Sequence, residues 1–386
     1  MKTLYIFVFL TLLGCADELD MFDVVDKELD KKHSLNTSNI DMRMKLSHLI
    51  QDKTSNESVF YANISDNSQY YVYDIRLEAN GDKQAFHIKD LYFKTAYNEH
   101  YFLELGRMNV KEGIAYGYNP TDYFKGGSSF TLSLDPKEKI ENRLGAVLVQ
   151  VSAIWDNITL KALYSPQIST NANSIQSDKK YIGLHLDESN SQERASLYLG
   201  YTGFDALSIS GLLHKNDDGL NIGLNMSYIQ ERSIWYLEAS TAKKQDKSNY
   251  ETELSLGLNY SSQNNIVSTF EYIYNEGGLN KEEIHTLFSQ KYLANYSPKI
   301  PKSTMLSKHT LFMMARQSDV LHNLDWNALA WVNPLDKSSL LQVGLSYEYE
   351  EIVFSLDARA YRGNAQTVYG SYPNEYEGLV SMSYYF

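Results

Sequence analysis

The residues best placed to do chemistry lie in one segment, "LELGRMNVKEGIAYGYNPTDYFKGG", residues 103–127. It brings together Arg107, Lys111, Glu112 and Asp122 among glycines and aromatics. Asn119-Pro120 and Thr121-Asp122 are turn chemistry, because proline fixes one φ and Asn and Asp side chains bond nearby amides. Charges of both signs on a tightly folded loop suit the electrostatics of a pore constriction. A packed external turn would use the same residues. The glycines match neither a phosphate-binding nor a dinucleotide fingerprint. A hydrolytic site would need a Ser and a His within hydrogen-bond reach, oriented by a third group. His185, with Asp187 and Ser189 in phase in "GLHLDES", is the arrangement nearest to that, and it falls in an expected loop. His214 beside Asp217 and Asp218 reads as a polar hairpin tip with too few oxygen ligands for calcium. The chain is therefore read as a non-enzyme without metal or cofactor, a barrel hydrolase being the third of three readings.

Such a loop needs a frame, and the frame is written in period two. In "NYETELSLGLNY", Tyr250, Thr252, Leu254, Leu256, Leu258 and Tyr260 take one face, and Glu251, Glu253, Ser255, Gly257 and Asn259 the other. "LNIGLNMSY" and "YVYDIRLEA" repeat the scheme, the latter with Asp74 and Arg76 on its polar face. Arg359 falls on a polar face near the C-terminus. Alternation marks a half-buried strand. A polar face holding Gly, Asn and whole charges, opposite an apolar face ending in tyrosines, marks a strand between a wet lumen and lipid. Only a closed sheet satisfies its backbone there.

The expected fold is all-β: a transmembrane antiparallel up-and-down barrel of about 16 strands, from 69–79 to 376–386. Short joins fall near 98–99, 156–157, 203–204, 231, 263, 318 and 350, and long ones at 110–142, 166–193, 275–307 and 362–375. "IDMRMKL" and "YIGLHLD" would raise the count to 18, but would put two of the long segments on the turn side. Within the longest loop, Asn280 and Glu283 form a capping box ahead of Ile284, Leu287 and Phe288, which predicts a helix.

The N-terminus reads as an export signal, residues 1–16, with one lysine and an apolar core too short to cross a bilayer as a helix. Leu12-Leu13-Gly14-Cys15 offers a second cleavage, with a signal of 1–14 and lipidation of Cys15, the only cysteine. Residues 17–67 then form an acidic periplasmic leader with an extra strand near 40–47, and 68–386 the barrel. The net charge of −13 argues against a nucleic-acid partner. The chain ends on Met382, Tyr384 and Phe386 in one phase of an alternating strand, which must pair with the first strand.

The Gly-Arg followed by "NPTDYF" resembles a family of Gram-negative outer-membrane barrels, loosely porin-like. "IKDLYFKTAYNEHYFLELGR", "ENRLGAVLVQ…LKALYSP" and "FEYIYNEGGLNKEE" are similar to its other segments, in matching order. Where that family places Trp-Gly after the Gly-Arg, this chain has Glu112-Gly113, so no role is carried over from that aromatic. The resemblance implies an outer-membrane location, passage or export of small molecules, and in some relatives work beside an inner-membrane exporter. A terminal aromatic also resembles the signal read by barrel-assembly machinery. The leading reading is a small-molecule channel, and the alternative is a non-conducting scaffold or partner-binding barrel.

Overall fold

A computed structural model describes residues 40–81, 83–125, 132–134, 136–168, 174–177, 180–183, 186–244, 250–289 and 305–386. Cys15, the signal, the acidic stretch before Ile40, and His185 lie outside the described residues.

The first strands are β1 (Ile40–Gln51), β2 (Glu57–Asn67), β3 (Tyr71–Asn80), β4 (Lys83–Ala96) and β5 (Tyr101–Met108). After a long loop holding α1 (Pro136–Glu141) come β6 (Ala146–Trp155) and β7 (Ile158–Ser165). The next loop contains a small hairpin, β8 (Ser174–Ser177) and β9 (Lys180–Gly183), and a short turn of helix, α2 (Leu186–Ser189). Then follow β10 (Arg194–Phe204), β11 (Leu207–Asn216), β12 (Gly219–Gln230), β13 (Ser233–Lys244), β14 (Tyr250–Ser261) and β15 (Val267–Asn275). Beyond α3 (Lys281–Ser289) lie β16 (His309–Gln317), β17 (Leu324–Asn333), β18 (Ser338–Tyr349), β19 (Ile352–Arg362) and β20 (Tyr376–Tyr385).

Apart from the β8–β9 hairpin these strands make a closed antiparallel wall of 18, sealed where β1 pairs with β20. Closure matters because an open edge in lipid would leave backbone groups unpaired. The terminal residue takes part: the amide of Phe386 donates to Met42 O at 3.0 Å, and its ring packs edge-on against Tyr384. Outward residues such as Leu197, Leu256, Leu345 and Val380 are each about half exposed, an apolar band of the kind a bilayer covers.

The sixteen expected strands are all present, and the count rises to 18 by a route the sequence reading did not take. Both added strands, β1 and β2, precede residue 68, so among the described residues the wall starts at Ile40. β1 is the extra strand expected near 40–47, whereas "YIGLHLD" contributes only β9 and no wall strand. Adding two strands at the start preserves parity. All four long loops and the turn 52–56 therefore share one rim, and the start of β1 and the end of β20 share the other. β2 escaped notice because Val59 and Tyr61 on its inner face are as apolar as its outer Phe60 and Ile64. Those two residues are buried, and the Tyr61 hydroxyl accepts the Leu132 amide, so loop cover, not water, lies over that part of the lumen face.

One irregularity positions the long loop. β5 pairs with β4 only from Leu91 onward, leaving Gln84–His87 with β3 on one side. β9 supplies the other side in parallel register, covering what would be an edge. At this point Gly106 adopts φ +137°, and a Cβ there would lie 2.4 Å from Leu91 O. Replacing Gly106 with Val should therefore destabilise the detergent-solubilised barrel by about 1–3 kcal/mol for the backbone conformation alone, read as a lower urea midpoint. An unchanged midpoint would contradict this account of the Gly-Arg step.

Candidate functional site

The loop from 109 to 145 leaves the end of β5 and folds into the barrel. Its turn is built as the sequence suggests. Asn119 Oδ1 accepts the amides of Thr121 and Asp122, each at 2.9 Å. Lys125 donates to Asn119 O at 2.9 Å and lies 4.0 Å over the Tyr118 ring.

What holds this turn against the wall is a pair of carboxylates. Glu238 on β13 and Glu271 on β15 point inward, on the phase of buried Tyr236 and Ile273. Glu238 Oε1 accepts the amides of Ile114 and Ala115, the latter at 2.7 Å. Glu271 accepts those of Tyr116 at 2.5 Å and Gly117 at 2.8 Å. Four consecutive loop amides are thus satisfied by two side chains of the wall. A hydrogen bond of this kind contributes about 0.5–1.5 kcal/mol net.

Glu271 also receives the Tyr236 hydroxyl at 2.5 Å, two strands away. That reach depends on Gly257, which sits between them in the same hydrogen-bonded row. A Cβ on Gly257 would lie 2.0 Å from the Tyr236 ring, so the tyrosine lies flat across a position where no side chain fits. Further bonds spread the contact. Tyr118 donates to Glu253 at 2.8 Å, Thr121 to Asn225 at 2.7 Å, and Tyr123 Oη lies 2.9 Å from Ser240 Oγ. Tyr118 and Tyr116 pack against Ile273, Phe312, Met314 and Trp331, an apolar patch inside the barrel.

The returning arm of the loop meets a different arc of wall. Leu134 packs between Leu49 and Leu379, and its carbonyl accepts Arg359 Nη2 at 2.7 Å. Glu138 on α1 is bonded by Lys45 at 2.6 Å, with Arg43 at 3.9 Å. Asn142 Oδ1 accepts a bond from Arg76. Arg143 joins the two arms, bonding Asp122 at 2.6 Å, Asn109 Oδ1 at 3.0 Å and Val110 O at 2.9 Å. The loop is consequently rooted at β5–β6, pinned to β11–β16, and pinned again to β1–β3 and β19–β20. Three arcs spaced around the ring hold it across the lumen.

The expected site residues divide by what they touch. Asp122 is buried in its ion pair with Arg143, and Glu112 pairs with Lys161 at 3.1 Å. Asp74 accepts bonds from Asn63 at 2.6 Å and from Lys89, and Arg76 bonds Asn63 and Asn142. Glu253 and Arg359 clamp the loop as described, and Glu251 takes the same inward phase as Glu253. Lys111 is exposed on the loop. Arg107 does not join them: it has the phase of Leu103 and Leu105 and is buried at the rim. There it donates to Gly145 O, Ile88 O and Ser189 Oγ at 2.9–3.0 Å. That contact, with a second to Asn190, engages the Ser189 hydroxyl. His214 is not at a hairpin tip either: it is buried on the lumen face, bonded to Ser196 Oγ at 2.6 Å and stacked on Tyr123. The sequence reading missed Glu238, Glu271, Lys45 and Glu138. For the first two the signal was present, a lone acid on the polar phase of each strand.

No protein-family model matches the chain, and no curated protein matches it in sequence. Solved structures do match over nearly the whole length. Pseudomonas aeruginosa OccK11 (OpdR) superposes with a TM-score of 0.58 at 10% identity, covering 90% of this chain and 95% of its own. The fold is that of the Occ porins. Pseudomonas aeruginosa OccK3 (OpdO) gives 0.57 at 11% identity, with 92% and 97% covered. Acinetobacter baumannii OccAB3 gives 0.56 at 9%, with 90% and 98% covered. At such identities the likeness to Occ porins concerns the fold, and the loop contacts above are this chain's own.

Two outcomes follow. Glu271→Ala removes the acceptor for two amides and one hydroxyl, and should leave a folded barrel whose loop is cut by chymotrypsin at Tyr116 or Tyr118. A loop as resistant as in the unaltered protein would contradict the clamp. The second concerns Glu138. Burial alone would raise its carboxyl, but Lys45 and Arg43 hold it at about 2, against an ordinary value of 4.5. Its contribution is complete above the ordinary value and is lost as pH falls from there toward 2. The melting-temperature gap between the unaltered protein and Glu138→Gln should be constant above pH 5 and close toward pH 2. A gap of constant size would show that the ion pair is not the anchor.

Proposed function

We propose that the chain is an outer-membrane channel for small molecules, narrowed by the loop 109–145. The observation that carries this reading is the loop's position: held across the lumen at three arcs, it restricts the aperture of a wall whose 18 strands would otherwise enclose a wide channel. The polar inner phase and the half-exposed apolar outer band support a barrel sitting in lipid with its lumen wet. The shared fold with Occ porins supports the Gram-negative outer membrane. On this reading the long-loop rim is external and both chain ends are periplasmic. Residues 1–16 direct export, and the alternating strand ending in Phe386 is the feature read by the assembly machinery.

Interior charge bears on selectivity. Glu238, Glu253 and Glu271 are occupied by the loop, and Lys45, Arg76 and Arg359 are engaged by its return arm or by neighbours. Among the described residues of the loop, Lys111 and Glu141 are exposed charges, and Lys111 lies on the outgoing arm. Purified protein in planar bilayers should give discrete, stable conductance steps, and Lys111→Glu should shift the reversal potential toward cations with the step retained. Absence of steps from folded, inserted protein would exclude the channel and favour a non-conducting barrel.

A further inference from the structure

The outward face carries a feature that transport does not use. Two small residues, Ala162 on β7 and Ala195 on β10, sit where neighbouring strands carry large ones, and they open a groove of about 370 Å³. Tyr164 and Val151 form one bank, Leu197 and Leu213 the other. The register places Ala195 opposite Lys215, Lys215 opposite Leu220, and Leu220 opposite Lys243. The groove therefore opens on a row holding two lysines, each one residue from the end of its strand at the long-loop rim.

The chemistry of that row is specific. Lys215 and Lys243 are exposed on the outward phase of a chain whose net charge is −13, so they run against its overall balance. Among the described residues no carboxylate shares their row from Tyr164 to Tyr250; in the adjacent row toward the membrane Ala162, Leu197, Leu213, Ile222 and Thr241 align, and the first acid, Glu276, stands two strands beyond Thr241, beside Thr252. Among the described residues the nearby acids on the water side are Asp217 and Asp218 at the hairpin tip and Glu193, two residues before Ala195. Lys243 lies 5.9 Å over the Tyr250 ring, at the level of the aromatic girdle. Alternate strands place the two lysines on the order of ~10 Å apart. A lipid bearing a single phosphate would engage one of them. A bisphosphorylated disaccharide lipid spans both while laying an acyl chain in the groove.

We propose that this surface is a binding site for a phosphorylated glycolipid of the external leaflet, its phosphates held by Lys215 and Lys243 and one acyl chain seated over Ala162 and Ala195. The proposal rests on the outer-membrane reading but not on conductance. The test is native mass spectrometry of the full chain in detergent, titrated with bisphosphorylated lipid A and with its phosphate-free form. The unaltered protein should retain the bisphosphorylated lipid. K215Q/K243Q should weaken binding about thirtyfold, from about fivefold per lysine near a membrane surface, and K215R/K243R should restore it. A195L, with both charges kept, should also weaken it by filling the groove. Equal binding of the phosphate-free lipid, or full binding by the glutamine variant, would overturn the proposal. So would an A195L protein that loses an oligomer while keeping the lipid, because the groove would then be a contact between copies of the chain. These variants should conduct like the unaltered protein. A barrel that binds lipid in this pattern without conducting would sink the channel reading alone.

Discussion

Two buried carboxylates, Glu238 and Glu271, decide where the long loop goes, and much of the interior follows from their placement. A loop inside a barrel brings backbone amides away from bulk water, and an unpaired buried amide costs about 1–3 kcal/mol. Here the wall supplies the acceptors in advance. Adjacent amides of Ile114 and Ala115 go to one carboxylate and those of Tyr116 and Gly117 to the next. The reciprocal need is met in full for Glu271, whose two oxygens take three bonds, and at one oxygen of Glu238, whose Oε2 is buried without a partner. Clamp and loop are each unsatisfactory without the other.

Charge is distributed to match. The wall acids that meet the outgoing arm, Glu238, Glu253 and Glu271, lie on β13–β15, and the bases that meet the return arm, Lys45, Arg76 and Arg359, on β1, β3 and β19. The loop answers each with the opposite group: backbone N–H and tyrosine hydroxyls toward the acids, Glu138 and a backbone carbonyl toward the bases. Arg143 fastens the arms to each other through Asp122. Interior charges of both signs are thus cross-linked through the loop.

The sequence made the wall legible because lipid and lumen impose opposite demands on successive residues. Sixteen strands and the side of every long loop could be read from that alternation. β2 could not, because the loop covers Val59 and Tyr61 and removes the contrast. The α3 helix was legible for a local reason: Asn280 and Glu283 cap each other, with Asn280 Oδ1 accepting the Glu283 amide at 3.0 Å and Glu283 accepting the Asn280 amide at 2.7 Å. The clamp depends on residues more than a hundred positions apart, and in a strand Glu238 looks like any acid facing a wet lumen. Arg107 shows the converse, a charge in a conspicuous motif that the wall absorbs at its rim. The turn of 119–122 was readable because Asn119 organises it locally; its partner wall was not.

The most direct measurement is amide hydrogen exchange of the folded protein, resolved over residues 113–118. If Glu238 and Glu271 hold the loop, the amides of Ile114 through Gly117 exchange as slowly as those of β13 and β15, far slower than loop amides in water. Exchange at free-loop rates, with the strands still protected, would mean that the loop is not clamped to the wall and that the aperture is set by something else.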